Sequence, residues 1–111
     1  MENLLSLTLE AHNAGQNHHR HYAVTVGRDL LNDWTVSIRY GRTGQHGREL
    51  RYADADPAAM AAVIRDRLQR RLSAPRRLGC PYRLTEFSAA PDFDASSWLP
   101  GDIMAGFLEA G

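Results

Sequence analysis

The segment richest in usable chemistry is Arg39-Tyr40-Gly41-Arg42-Thr43-Gly44-Gln45-His46-Gly47-Arg48. Arginine offers bidentate, charge-assisted donors that match phosphate. The Tyr40 ring can stack on a sugar or base, an interaction worth about 1–3 kcal/mol. Glycine has no Cβ, so backbone N–H groups at 41, 44 and 47 can approach an anion closely. Arg20 adds a cation upstream. The chemistry that suits this set is the holding of a phosphate backbone, with Arg20, Arg39, Tyr40, Arg42, Gln45, His46 and Arg48 as contact residues. Taken alone, the segment also fits an ordinary glycine-rich hairpin.

Other reactive side chains form weaker patterns. His12, His18, His19 and His21 crowd one stretch, with Glu10 the nearby acid. His19 and His21 would share a strand face, and two imidazoles so placed can take a transition metal. The blander reading is a polar loop whose histidines help meet anions when protonated, and no metal or cofactor is assigned. Cys80 is the only cysteine. It excludes an internal disulfide and a cysteine-built metal site, and no histidine is placed to activate it as a nucleophile. No Ser-His-Asp set, paired carboxylates or phosphate-loop spacing stands out. The chain is therefore read as non-enzymatic.

These residues must be positioned by regular elements. Leu5 to Glu10 alternates apolar and polar, the period of a half-buried strand. Ala11 to Asn17 reads as a loop. His21 to Val26 alternates again, Asp29 to Asp33 has turn chemistry, and Trp34, Val36, Ile38 and Tyr40 line one face of a third strand. Trp34 is expected in the core. Gly41 to Gly47 connects to a fourth strand over Glu49 to Ala53. The period then changes: Asp54 or Asp56 can cap a helix that Pro57 opens and Pro75 stops. Met60, Val63, Ile64, Leu68 and Leu72 give that helix one apolar stripe. Tyr82 to Phe87 predicts a last strand. The order predicts an α+β fold: a twisted antiparallel sheet of four to five strands with one helix on one face. A short helix over Pro100 to Glu109, opened by Asp102, would follow. The division is 1–87 for the domain and 88–111 for an acidic, partly apolar extension.

The formal net charge of zero conceals a segregation. All 13 basic residues are arginines and all lie from Arg20 to Arg83. Six acids share that stretch and leave it at +7, while the other seven acids flank it. A positive surface attracts polyanions. Arg65, Arg67, Arg70, Arg71, Arg76, Arg77 and Arg83 read equally as a phosphate-tracking ridge or as a solvated face. After residue 87 the chain has four acids, no base and several large apolar residues. Those acids could cover the arginines in cis and the rings could meet a partner, or the segment could complete the core. At 43% apolar and 23% charged, with no signal-peptide pattern and no run of about 20 apolar residues, the chain is expected in the cytoplasm.

The loop and its surroundings resemble the WGR domain family, whose Trp-Gly-Arg signature follows a strand and leads into a Gly-x-x-Gly turn. Here Tyr40-Gly41-Arg42 stands at the signature and Gly44-Gln45-His46-Gly47 at the turn. Asn17, Arg20 and Tyr22 are similar to the family's entry strand. Asp29-Leu30-Leu31 with Trp34 is similar to its Asp-Leu-aromatic turn, and Gly79-Cys80-Pro81-Tyr82 to its Gly-Tyr ending. The resemblance spans about residues 4–84 and is nearest to single-domain bacterial members. It implies a twisted antiparallel sheet with one helix. It also implies the role of the module in poly(ADP-ribose) polymerases, where it contacts a DNA end and signals to a catalytic domain. Tyr40 would then pack on the sugar and Arg42 hold backbone. The chain departs from the pattern in having Tyr for Trp, a smaller stacking surface. The expected function is a non-catalytic module for nucleic acid, DNA before RNA. The alternative is a protein-interaction module that keeps the fold and meets a protein partner through Trp98 and Phe107.

Overall fold

A computed structural model of the chain describes residues 2–108. Five strands, β1 (Glu2–Asn13), β2 (His18–Arg28), β3 (Trp34–Arg42), β4 (Arg48–Asp54) and β5 (Arg83–Ala89), form one sheet in the order β4-β3-β2-β1-β5. Every neighbouring pair is antiparallel. Helices α1 (Pro57–Arg71), α2 (Ala74–Leu78) and α3 (Gly101–Ala105) complete the α+β fold. No helix among the described residues is long and apolar enough to cross a membrane.

The alternation of each strand decides the sheet's two faces. Leu5, Leu7 and Leu9 stand opposite Val26, Val24 and Tyr22, which stand opposite Val36, Ile38 and Tyr40. Paired residues point to the same side, so one face is apolar and buried. Met60, Ile64 and Leu68 of α1 pack into that face, one helical turn apart. Of the two acids offered as cap, Asp56 takes the role: its Oδ1 accepts from Ala58 N at 3.0 Å. Asp54 Oδ1 instead accepts from Asp56 N at 2.8 Å.

Several elements differ from the sequence reading. β1 extends through Asn13, past the expected loop start at Ala11, because its backbone continues the ladder with β2 as far as Asn13 opposite His18. Leu72 is 37% exposed, since α1 ends at Arg71 and the stripe runs off the helix. Pro75 lies in the first turn of α2, where its missing N–H leaves no bond unmade. α3 ends at Ala105, short of the expected helix, and Glu109 lies outside the described residues.

The segment after β5 packs into the core. Ala90 N donates to Leu4 O at 2.8 Å at one end of β5, and Leu84 N donates to Phe107 O at 2.9 Å at the other. Between these points Trp98, Leu99, Ile103 and Phe107 are buried. Trp98 lies 5.3 Å from Trp34 and 5.8 Å from Phe93, ring centre to ring centre. Trp34 is thus half-buried in an aromatic cluster, with the Arg28 guanidinium 4.3 Å over its ring. A partner reaching Trp98 or Phe107 would have to displace rings that the core already holds.

Candidate functional site

The hairpin between β3 and β4 is built by its glycines. Strand pairing runs to Tyr40 opposite Arg48. A Cβ on Gly41 would lie 2.9 Å from Gly47 Cα, and one on Gly47 would lie 2.3 Å from Tyr40 O. Two of the three glycines are thus required where the strands cross closely, rather than by an approaching anion. Gly44, at φ +88° with nothing within 4 Å of its Cβ position, faces open space. Gln45 N donates to Arg42 O at 3.1 Å and closes the turn. Thr43 N donates to His19 O at 2.8 Å and ties the loop to β2.

Register then sorts the arginines. Arg20 stands opposite Arg42, and Tyr22 opposite Tyr40, which stands opposite Arg48. Separations of two along each strand keep all five on the face that carries the core. The last turns of α1 bring two more cations. The Arg71 guanidinium sits 4.5 Å over the Tyr22 ring. Arg67 lies 5.9 Å from the Tyr52 ring centre and donates to its hydroxyl at 2.7 Å. Burial pushes the Tyr22 phenol above its usual value, with Arg71 opposing, so it stays protonated. Tyr40, half-buried, lies 6.1 Å from Tyr22, which lies 6.4 Å from Tyr82. Arg20, Arg42, Arg48 and Arg71 therefore gather around an aromatic floor at one end of the sheet.

Arg42 has a second task. Its two terminal nitrogens donate to Asn17 O at 3.2 Å and Asn17 Oδ1 at 3.0 Å. Asn17 holds a left-handed conformation at the end of a 3-10 turn (Ala14–Gln16), one of the few settings that asparagine tolerates well. The bond joins the β1–β2 connection to the β3–β4 hairpin. Three of the five guanidinium N–H groups remain for a ligand.

Not every expected contact residue joins this set. Arg39, three residues before Arg42, points to the opposite face. Its terminal nitrogen lies 3.7 Å from Glu49, which also receives Arg51 Nε at 3.1 Å. Arg51 first, and then Arg39, holds the Glu49 carboxyl below its usual range. Gln45 and His46 are exposed at the hairpin tip. Among the later arginines, Arg70 pairs with Asp66 at 3.2 Å, Arg65 borders a groove with Ala61 and Trp98, and Arg76 is exposed. Arg83 faces away with Glu10, and the side chain of Arg77 lies outside the described residues. The sequence did not single out Arg71 from its neighbours or Asn17 as the holder of Arg42.

Among the described residues, no acid forms an ion pair with Arg20, Arg42, Arg48 or Arg71. Glu49 and Asp66 are paired with arginines outside the cluster, and Glu10 meets His12. Asp94, after β5, is occupied by the Ser96 and Ser97 hydroxyls at 2.5 and 2.6 Å. Cys80 is buried, and among the described residues no group of three or more His, Cys, Asp or Glu is placed to hold a metal ion.

Comparison with known proteins gives one family. The family model described as the WGR domain matches residues 5–71, from β1 to the end of α1. The span contains the hairpin, Arg20, Asn17 and Arg71. No curated protein matches the chain.

Proposed function

This chain belongs to the WGR domain family, a module generally linked to nucleic-acid binding, and from that premise we propose that it grips a DNA backbone or end without catalysis. The observation that carries the reading is the convergence of Arg20, Arg42, Arg48 and Arg71 around Tyr40 and Tyr22 on one face. Guanidinium groups would hold phosphate oxygens, and the exposed edge of Tyr40 would pack on a sugar or base. Such contacts fix position and carry little sequence information, so sequence preference is slight. Gln45 and His46, at the tip, would extend the grip along the strand. Arg39 would contribute only to the general field, because Glu49 engages it on the far side.

The test is fluorescence anisotropy with blunt, nicked and single-stranded DNA, and with an RNA duplex. Four to five neutralised phosphates give a slope of log affinity against log salt of about −4. Arg48→Ala and Arg20→Ala should each weaken binding and bring that slope about one unit nearer zero. Arg39→Ala and Arg51→Ala, on the opposite face, should leave affinity within about twofold, a difference of about 0.4 kcal/mol. Equal losses on both faces would mean diffuse charge rather than a site. No binding at low salt would end the proposal.

A further inference from the structure

The histidine-rich stretch takes no part in the arginine cluster. β1 and β2 put Glu10 opposite His21 and His12 opposite His19, on the sheet face away from Leu9 and Tyr22. The sequence offered His19 with His21 as a pair along one strand. The fold instead joins His12 with His19 across two strands, where facing Cβ atoms are about 4.5–5.5 Å apart. The two Nδ1 atoms lie 3.1 Å from each other. On its other side, His12 Nε2 lies 3.0 Å from Glu10 Oε1.

This arrangement resembles a metal ligand with its supporting group. Histidines that bind metals usually donate the remote ring N–H to a carboxylate, which fixes the tautomer and raises basicity. With Nε2–H donated to Glu10, neutral His12 presents Nδ1 as a lone pair. Nitrogens about 2.0–2.1 Å from a metal are about 2.9 Å apart at a right angle and about 3.3 Å apart at the tetrahedral angle. The observed 3.1 Å falls between these limits. The His12 side chain is 48% exposed, so a hydrated ion can reach it.

We propose that His12 and His19 chelate one divalent transition-metal ion through their Nδ1 atoms, with Glu10 as the orienting carboxylate. The metal takes the place of the proton shared between the rings. His19 passes from its Nδ1–H to its Nε2–H tautomer, and both rings rotate until their lone pairs converge on the ion. Imidazole pairs suit Zn²⁺, Cu²⁺ and Ni²⁺. Because no group of three ligands is present among the described residues, water fills the remaining positions and the ion exchanges readily.

The experiment titrates the full chain with Zn²⁺, Ni²⁺ and Cu²⁺ by calorimetry and follows the histidine ring resonances by NMR. One site is expected, with the His12 and His19 signals moving and His46 unaffected. His12→Gln and His19→Gln should each remove it, Glu10→Gln should weaken it about 10–100-fold, and His46→Gln should change nothing. Circular dichroism confirms that each variant is folded. No heat and no ring shift up to about 1 mM metal, the limit of a weak site, would leave a hydrogen-bonded pair only and overturn the proposal. Binding that persists in folded His19→Gln would overturn it as well.

Discussion

Replacing Gly47 with alanine tests whether the hairpin glycines serve the fold or the ligand. Gly47 has φ +73°, where a residue bearing Cβ costs about 1–2 kcal/mol. Its Cβ would also lie 2.3 Å from Tyr40 O and 3.0 Å from Tyr40 C. Those atoms are backbone, held by the pairing of Tyr40 with Arg48, so no side chain can swing aside. Relief requires the two strands to separate, an overpacking cost on the order of 1–3 kcal/mol. The total for Gly47→Ala is about 2–5 kcal/mol. Gly44→Ala is the control. It shares the positive φ, at +88°, but meets nothing within 4 Å, so it should cost only about 1–2 kcal/mol. Urea and thermal unfolding of both variants measure the difference, which corresponds to a gap in Tm of roughly 4 °C or more. If Gly47→Ala is no less stable than Gly44→Ala, the close crossing of the strands is not what demands glycine at 47.

Three further predictions follow from local contacts. Asp56→Ala removes the cap of α1 and should cost about 0.5–2 kcal/mol in urea unfolding. Asp94 has its pKa lowered below 3.8, first by the Ser96 hydroxyl and then by that of Ser97. A carboxylate depressed by folding stabilises above its unfolded value and loses that contribution as pH falls through its folded one. The Tm advantage of the native chain over Asp94→Asn should therefore be constant near neutrality and shrink below pH 3.8. Leu30 and Leu31 are 95% and 82% exposed at the β2–β3 turn. Leu30→Ser and Leu31→Ser should each change stability by less than about 0.5 kcal/mol in urea unfolding.

The architecture was legible wherever one physical signal dominated. Alternation in Leu5 to Leu9 and Tyr22 to Val26, and the four-residue recurrence from Met60 to Leu68, set the sheet and α1. The alternation runs on to Ala11, which is buried with Leu5, Leu7 and Leu9, but the polar His12 and Asn13 leave no apolar mark of the ladder that continues through them. The sorting of the arginines was within reach. Arg39 and Arg42 differ by an odd number, so one strand must send them to opposite faces, whereas Tyr40 and Arg42 share one. Placing Arg48 with Tyr40 further needed the register of β3 on β4, which the glycines set. Arg71 was beyond reach, since choosing it among its neighbours requires the rotation of α1 over the sheet. The pairing of His12 with His19 likewise depends on β1 reaching Asn13.

The signature arginine shows why composition alone could not locate a binding surface. Thirteen arginines give no preference among themselves, yet their surroundings divide them by what each guanidinium already does. Arg39 and Arg70 have carboxylates within 4 Å, and Arg28 is spent on the Trp34 ring and on Asn32 O, to which it donates at 2.8 Å. Arg42 is bound, but to the neutral groups of Asn17, and no carboxylate among the described residues pairs with it, so its position is fixed without its charge being met there. A cation held in place by neutral acceptors has already lost side-chain freedom, which an anion would otherwise have to restrict on binding. Hydrogen bonding to Asn17 is therefore compatible with the grip proposed for Arg42 and should strengthen it. It also means that Arg42→Ala removes a structural link together with a contact, so Arg48 and Arg20 are the residues on which the nucleic-acid reading should be judged.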